Sequence, residues 1–199
     1  MLKEGTKGRI LVSSMRQKKH PPDAVIVNVT SRSKEEWSRK FSPFFLGPVD
    51  VIPYDTKIPC KNMENAWQYL KVYPGYEEKE TYLKWAQEGF TSKKANRYPM
   101  GRGKKPLYSL WKGEKLGYIE ARKKIYAPLY AQCVEKYAED SLEKLRDLYE
   151  KGKTVVLLDF DGYSNYTNLK DVINDPKKKM GHAFVLAMMV LNQRVWEES

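Results

Sequence analysis

"TVVLLDF", residues 154–160, is a short, continuous and β-branched apolar run that reads as a buried strand. Two more such runs, "RILVSSM" at 9–15 and "AVIVNV" at 24–29, stand on either side of the breaker "HPPD", which predicts two strands joined by a turn. The segment "KFSPFFLGPVDVIPYDTKIPC" is rich in proline and aromatics and reads as irregular but packed. Most of the remaining chain carries helical patterning. "KNMENAWQYLKVY" at 61–73 has Asn62 as N-cap, and "EEKETYLKWAQE" at 77–88 is ended by Gly89 and Phe90. "TSKKANRY" opens a third helix with Thr91 or Ser92 as cap, and "PMGRGKKP" is a glycine-rich basic loop. A long helical stretch is expected from about Leu107 to Ala138, kinked or divided at Pro128. "SLEKLRDLYEKG" at 141–152 stops at Gly152, and "GHAFVLAMMVLNQRVW" at 181–196 closes the chain as an apolar helix. Helices outnumber strands, so the expected class is α+β, a single domain over residues 1–199 that is mainly helical around a small sheet.

A hydrophobic fraction of 41% and an aromatic fraction of 13% suffice for a packed core and exclude wholesale disorder. The net charge of +11 favours anionic partners such as nucleotides, nucleic acid or phosphorylated metabolites. Cys60 and Cys133 are the only cysteines, and His20 and His182 the only histidines, so neither a disulfide framework nor a structural zinc site has support. "AFVLAMMVL" at 183–191 is far shorter than a membrane span, and "MLKEGTKGRI" lacks the apolar run of a signal peptide, which leads to a cytoplasmic expectation with no membrane partner.

Four constellations could carry chemistry. At 100° per residue, Glu64, Gln68 and Lys71 fall within about 60° of one another, while Met63, Ala66, Trp67, Leu70 and Tyr73 form an apolar arc. The polar row is either solvated surface or the wall of a site that orients water and stabilises a cationic, sugar-like transition state. In "NRYPMGRGKKP", glycines allow close backbone approach and Arg97, Arg102, Lys104 and Lys105 can meet phosphate oxygens; a plain basic loop is the alternative. Asp159 and Asp161, with Tyr163, Asn165 and Tyr166, follow the strand at 154–160, as ligands for a ribose hydroxyl or Mg²⁺ or simply as turn caps. Finally, Lys177 to Lys179 precede Gly181, where a helix N-terminus could favour an anion.

Taken in order, "FSPFF" at 41–45, "NMENAWQYLK" at 62–71, "ANRYPMGRGKKPLYSLW" at 95–111, "VVLLDFDGYSNYTN" at 155–168 and "KKKMGHAFVLAMMVL" at 177–191 resemble the motifs of the NADAR, or YbiA-like, N-glycosidases, over roughly residues 24 to 193. The family's patterns are "FSNF", "SEHxxQxxK", "AxxxGR" running into "KPL" and Trp, a strand ending in acidic residues, and "GKGxNxLG". This chain departs from them at Asn65, at Pro43, in the Tyr- and Asn-rich loop after Asp161 and in "KKKMG".

The resemblance implies a YbiA-like fold and cleavage of a bond between ribose carbon and nitrogen, without metal or cofactor. It implies Glu64 as catalytic carboxylate, Gln68 and Lys71 as the residues that hold Glu64 and bind the substrate, and Asp159 or Asp161 as holder of ribose hydroxyls or second acid/base. Arg97, Arg102 and Lys105 would bind phosphate, and Trp111 or Tyr163, or less readily Trp67, would stack on the base. The implied substrate is a phosphorylated ribosyl compound, either a nucleotide-like metabolite or ADP-ribose attached to a nucleic-acid base. The alternatives are a non-catalytic binder of ADP-ribose or nucleic acid, and a nucleic-acid-binding protein that relies on net charge alone.

Overall fold

The run at 154–160 does form a strand, and the strands at both of its edges come from the other end of the chain. The computed structural model describes residues 5–198. β1 (Arg9–Ser14) and β2 (Val25–Asn28) each pair in parallel with Thr154–Asp159, which lies between them. The two strands expected on either side of "HPPD" are thus present, and the strand Thr154–Asp159 pairs with both. Two strands that run the same way need a crossover, and "HPPD" sits within that crossover, with Asp23 at φ 60°.

Contacts divide the chain into two compact units. One comprises the chain up to Ser42 and from Val134 onward; the other is the contiguous stretch Pro43–Cys133. After β2 and the short helix α1 (Glu36–Arg39), the second unit begins with an antiparallel pair, β3 (Val49–Val51) and β4 (Ile58–Cys60), inside the segment expected to be irregular. α2 (Met63–Tyr69) follows, then β5 (Lys71–Val72) and α3 (Lys79–Thr91). β5 pairs with β6 (Tyr108–Trp111), and β6 pairs with β7 (Glu114–Leu116).

Residues 107–116 are thus a hairpin and not the start of a long helix. Lys112 and Gly113 lie at φ 51° and 80° between the paired Trp111 and Glu114, the positive-φ geometry of a two-residue type I′ turn. The third helix expected from Thr91 is also absent: α3 runs on through Thr91, and residues 92–107 form a loop.

The helix itself starts at α4 (Tyr118–Ala121), widens into a π-helical turn at Arg122–Tyr126 and continues as α5 (Ala127–Tyr137). The wide turn, with Ala127 N–H donating to the Arg122 carbonyl, sits immediately before Pro128, whose missing N–H would break the ordinary ladder. The expected division at Pro128 takes this form.

In the first unit α6 (Glu139–Glu150) and α8 (His182–Val190) pack on β8, the central strand Thr154–Asp159, and α7 (Leu169–Asn174) packs on α8. Val155, Val156 and Leu157 are buried, as a strand flanked on both edges and covered by helices requires. All nine residues of α8 are buried, so "AFVLAMMVL" is a core helix, and it ends at Val190 where the sequence pattern suggested Trp196. The protein is α+β, and the described residues form three small sheets where one was expected. Among the described residues, no helix is long and apolar enough to cross a membrane.

Candidate functional site

α2 begins where the proline-aromatic segment hands over its carbonyls. Met63 N–H donates to the Leu46 carbonyl at 2.7 Å and Glu64 N–H to the Pro43 carbonyl at 3.0 Å, while the Asn62 side chain accepts from Asn65 N–H at 2.8 Å. Three donors that a helix start leaves open are satisfied in this way, and "PFFL" at 43–46 is held against the glutamate's own backbone.

The apolar arc behaves as expected at Met63, Ala66 and Leu70, all fully buried; Tyr73 is 6% exposed and Trp67 is half-buried. The polar row is inside as well. Glu64 and Gln68 are each 8% exposed, so the solvated-face reading is corrected. The helix stops at Tyr69 because Lys71 and Val72 pair with Ser109 and Tyr108, yet Lys71 still reaches back. Its Nζ donates to Gln68 Oε1 at 3.0 Å, and Gln68 Nε2 donates to Glu64 Oε1 at 3.0 Å. The ammonium fixes which way the amide faces, and the amide then presents N–H to the carboxylate. Lys71 Nζ also lies 4.8 Å from the centroid of Trp67, whose ring packs against Tyr126 at 4.9 Å.

The adjacent Asn65 is fully buried and organises the neighbouring loop. Its Nδ2 donates to the carbonyls of Gly89 at 3.0 Å, Ser92 at 3.3 Å and Lys94 at 3.0 Å, and its Oδ1 accepts from Asn96 N–H at 2.8 Å. Two guanidiniums of that loop, Arg97 and Arg102, lie 5.5 and 5.0 Å from the Tyr98 ring centroid. Arg102 and Lys105 are exposed, while Trp111, at the end of β6, is half-buried. Among the described residues, no hydrogen bond or ion pair joins Arg102, Lys105 or Trp111 to the Glu64 chain.

In the other unit Asp159 ends β8 and is 3% exposed. Its Oδ2 accepts from Ala183 N–H at 3.1 Å and lies 3.3 Å from His182 Nδ1, while His182 Nε2 is 2.7 Å from the Val29 carbonyl. A Cβ on Gly181 would stand 2.1 Å from that same carboxylate oxygen, so the close approach requires glycine there. The anion expected at the start of α8 is supplied by the chain itself. Asp161 is half-buried beside Gly181. The Tyr163 ring lies 4.7 Å from Phe184 and under Lys178 at 4.4 Å, and with Tyr166, Asp171 and Asp175 it lines a shallow cavity. Among the described residues, no group of three or more His, Cys, Asp or Glu side chains is placed to hold a metal ion.

Residues 9–186 match the family model DUF6939, described as a family of unknown function. The chain belongs to DUF6939. A comparison with curated proteins gives no match.

The DUF6939 match takes in the Glu64 chain, the basic loop and Asp159, and it ends within α8. Four residues in this DUF6939 chain carry weight that the sequence did not assign to them. Asn65 and Tyr98 order the basic loop, His182 pairs with Asp159, and Arg122 is 1% exposed with its guanidinium 4.2 Å from the Tyr118 ring centroid. A signal existed only for Tyr98, an aromatic set between two arginines. Cys60 is fully buried, and burial pushes its thiol up to about 12, far from the range of an activated thiolate.

Proposed function

We propose that this protein is a metal-independent N-glycosidase that hydrolyses the bond between ribose C1′ and nitrogen in a phosphorylated ribosyl compound, either a nucleotide-like metabolite or ADP-ribose on a nucleic-acid base. The observation that carries the reading is the buried Glu64–Gln68–Lys71 chain, together with the sequence resemblance to the NADAR family. A charged row within a core is costly unless it is used or fully paired, and here an ammonium and an amide are spent in series on one carboxylate.

In this reading the C1′–N bond breaks with its electron pair leaving on nitrogen, and positive charge grows on the ribose. Glu64 stabilises that charge and takes a proton from the attacking water, whose hydroxyl forms the new bond to C1′, and the proton then passes to the departed nitrogen, which restores the carboxylate. Gln68, itself held by Lys71, donates to Glu64 Oε1 and so fixes the orientation of the carboxylate. Arg97, Arg102 and Lys105 are the phosphate ligands, and Trp111 is the stacking surface for the base.

The test is a panel of ribosyl-pyrimidine phosphates and ADP-ribosylated oligonucleotides, with released base or ADP-ribose followed by mass spectrometry. Glu64→Gln lowers kcat by about 10²- to 10⁴-fold and leaves ligand affinity nearly unchanged. Undiminished turnover in that variant overturns the assignment; binding without turnover in the native protein makes it a binder.

A further inference from the structure

We propose that the loop at 92–107 is a preorganised docking surface for single-stranded nucleic acid. As a choice among the substrates of Glu64 this rests on the glycosidase reading; as a binding surface it stands without it. The loop "SKKANRYPMGRGKKPL" carries Lys93, Lys94, Arg97, Arg102, Lys104 and Lys105 and no carboxylate. Among the described residues, Lys93, Lys94, Arg102, Lys104 and Lys105 form no ion pair. Their charge is directed outward, to a polyanion.

The loop is also tied down at both ends, which an idle solvated loop does not need. Asn65 holds the carbonyls of Ser92 and Lys94 and the N–H of Asn96, and Asn62 Nδ2 donates to the Lys93 carbonyl at 3.3 Å. At the far end Leu107 N–H donates to the Val72 carbonyl at 2.7 Å. Between them Gly101 N–H closes a turn on the Tyr98 carbonyl at 3.1 Å, with Gly101 and Gly103 at φ 96° and 76°. Ordering entropy is thus spent on folding and is not charged again on binding.

Charge alone would fit any polyanion, and the planar groups narrow the choice. Both the Arg97 and Arg102 guanidiniums lie over Tyr98, a set of flat faces suited to stacking on unpaired bases, whose faces a duplex hides. Tyr98 is here a positioning residue that holds the two guanidiniums, with Lys93, Lys94 and Lys104 meeting phosphates outside the set assigned to the ribosyl substrate.

The experiment measures fluorescence anisotropy of a short labelled single strand of DNA or RNA against the full-length protein over a salt series. Replacing Lys93, Lys94 and Lys104 together by Ala should flatten the slope of log K against log salt by about 2, since each single-strand phosphate contact contributes about 0.7. Tyr98→Ala should weaken binding about fivefold with the slope little changed, and Tyr98→Phe should restore it. Glu64→Gln should bind as the native protein does, which separates this surface from the chemistry.

Native affinity in both loop variants overturns the proposal. So does an equal loss when Lys18, Lys19 and Lys153 are replaced instead, because net charge alone then explains binding. Equal affinity for a duplex of the same length overturns the single-strand preference.

Discussion

Glu64, Asp159 and Asp161 look alike in the sequence as carboxylates near plausible cleft positions, and burial and partners separate them. Glu64 accepts from a side chain whose own oxygen is held by Lys71, whereas Asp159 accepts from a backbone N–H and faces a histidine whose other nitrogen meets a carbonyl. The first arrangement orients a carboxylate; the second fastens α8 to β8. Asp159→Ala should therefore cost about 2 to 4 kcal/mol in urea denaturation, by orphaning the buried Ala183 N–H and removing the carboxylate beside His182 Nδ1, with Asp159→Asn milder. The Glu64, Gln68, Lys71 row was legible because helical spacing is a property of the sequence. Its burial was not, because what covers Glu64 lies elsewhere in the chain. Asn65 makes the same point: its bonds reach 24 to 31 residues along the chain, beyond any local pattern.

At the scale of elements, the sequence pattern served where capping and periodicity agreed and failed where strand pairing intervened. Asn62 caps α2 as expected, but pairing of β5 with β6 ends the helix early. The hairpin at 108–116 was hidden by residues of good helix propensity, although Lys-Gly between two strand-length runs was the local clue. Gly113→Ala should cost about 1 to 2 kcal/mol in thermal unfolding from backbone strain alone, since φ is 80° and a Cβ there meets nothing within 4 Å.

α3 offers a pH test. Hydrogen bonds from the Thr81 hydroxyl, then from the Thr81 and Glu80 N–H groups, hold the Glu78 carboxyl below its ordinary 4.5. Its folded value is depressed, so the cap is intact above about pH 4.5 and is lost as pH falls through the lowered value. The Glu80 and Thr81 amide resonances should shift in that window, and Glu78→Gln should abolish the shift.

For the whole molecule, the α+β class was readable from element counts, but the arrangement of strands was not. β1 and β2 lie close in sequence with a breaker between them, and that pattern is shared by hairpins and by parallel strands that receive a third between them. The partner of both, β8, starts at Thr154. Val156 stands opposite Leu11 on one side and Ile26 on the other and is 1% exposed. Val156→Asp should bury an unpaired charge in the sheet, and hydrogen exchange should then reveal lost amide protection in Arg9–Ser14 and Val25–Asn28, with Tyr108–Leu116 less affected. Protection retained in both edge strands would contradict β8 as their common support.

The central position of β8 also sets a timetable. During synthesis β1 and β2 leave the ribosome well before β8, the strand each must pair with, and the whole of Pro43–Cys133 emerges as one unbroken stretch between them. Loop closure on that span is slow relative to local contacts, so two apolar strands with open edges remain unpaired until β8 has emerged. For the nascent chain, that interval is when chaperone occupancy of the segment carrying β1 and β2 matters most.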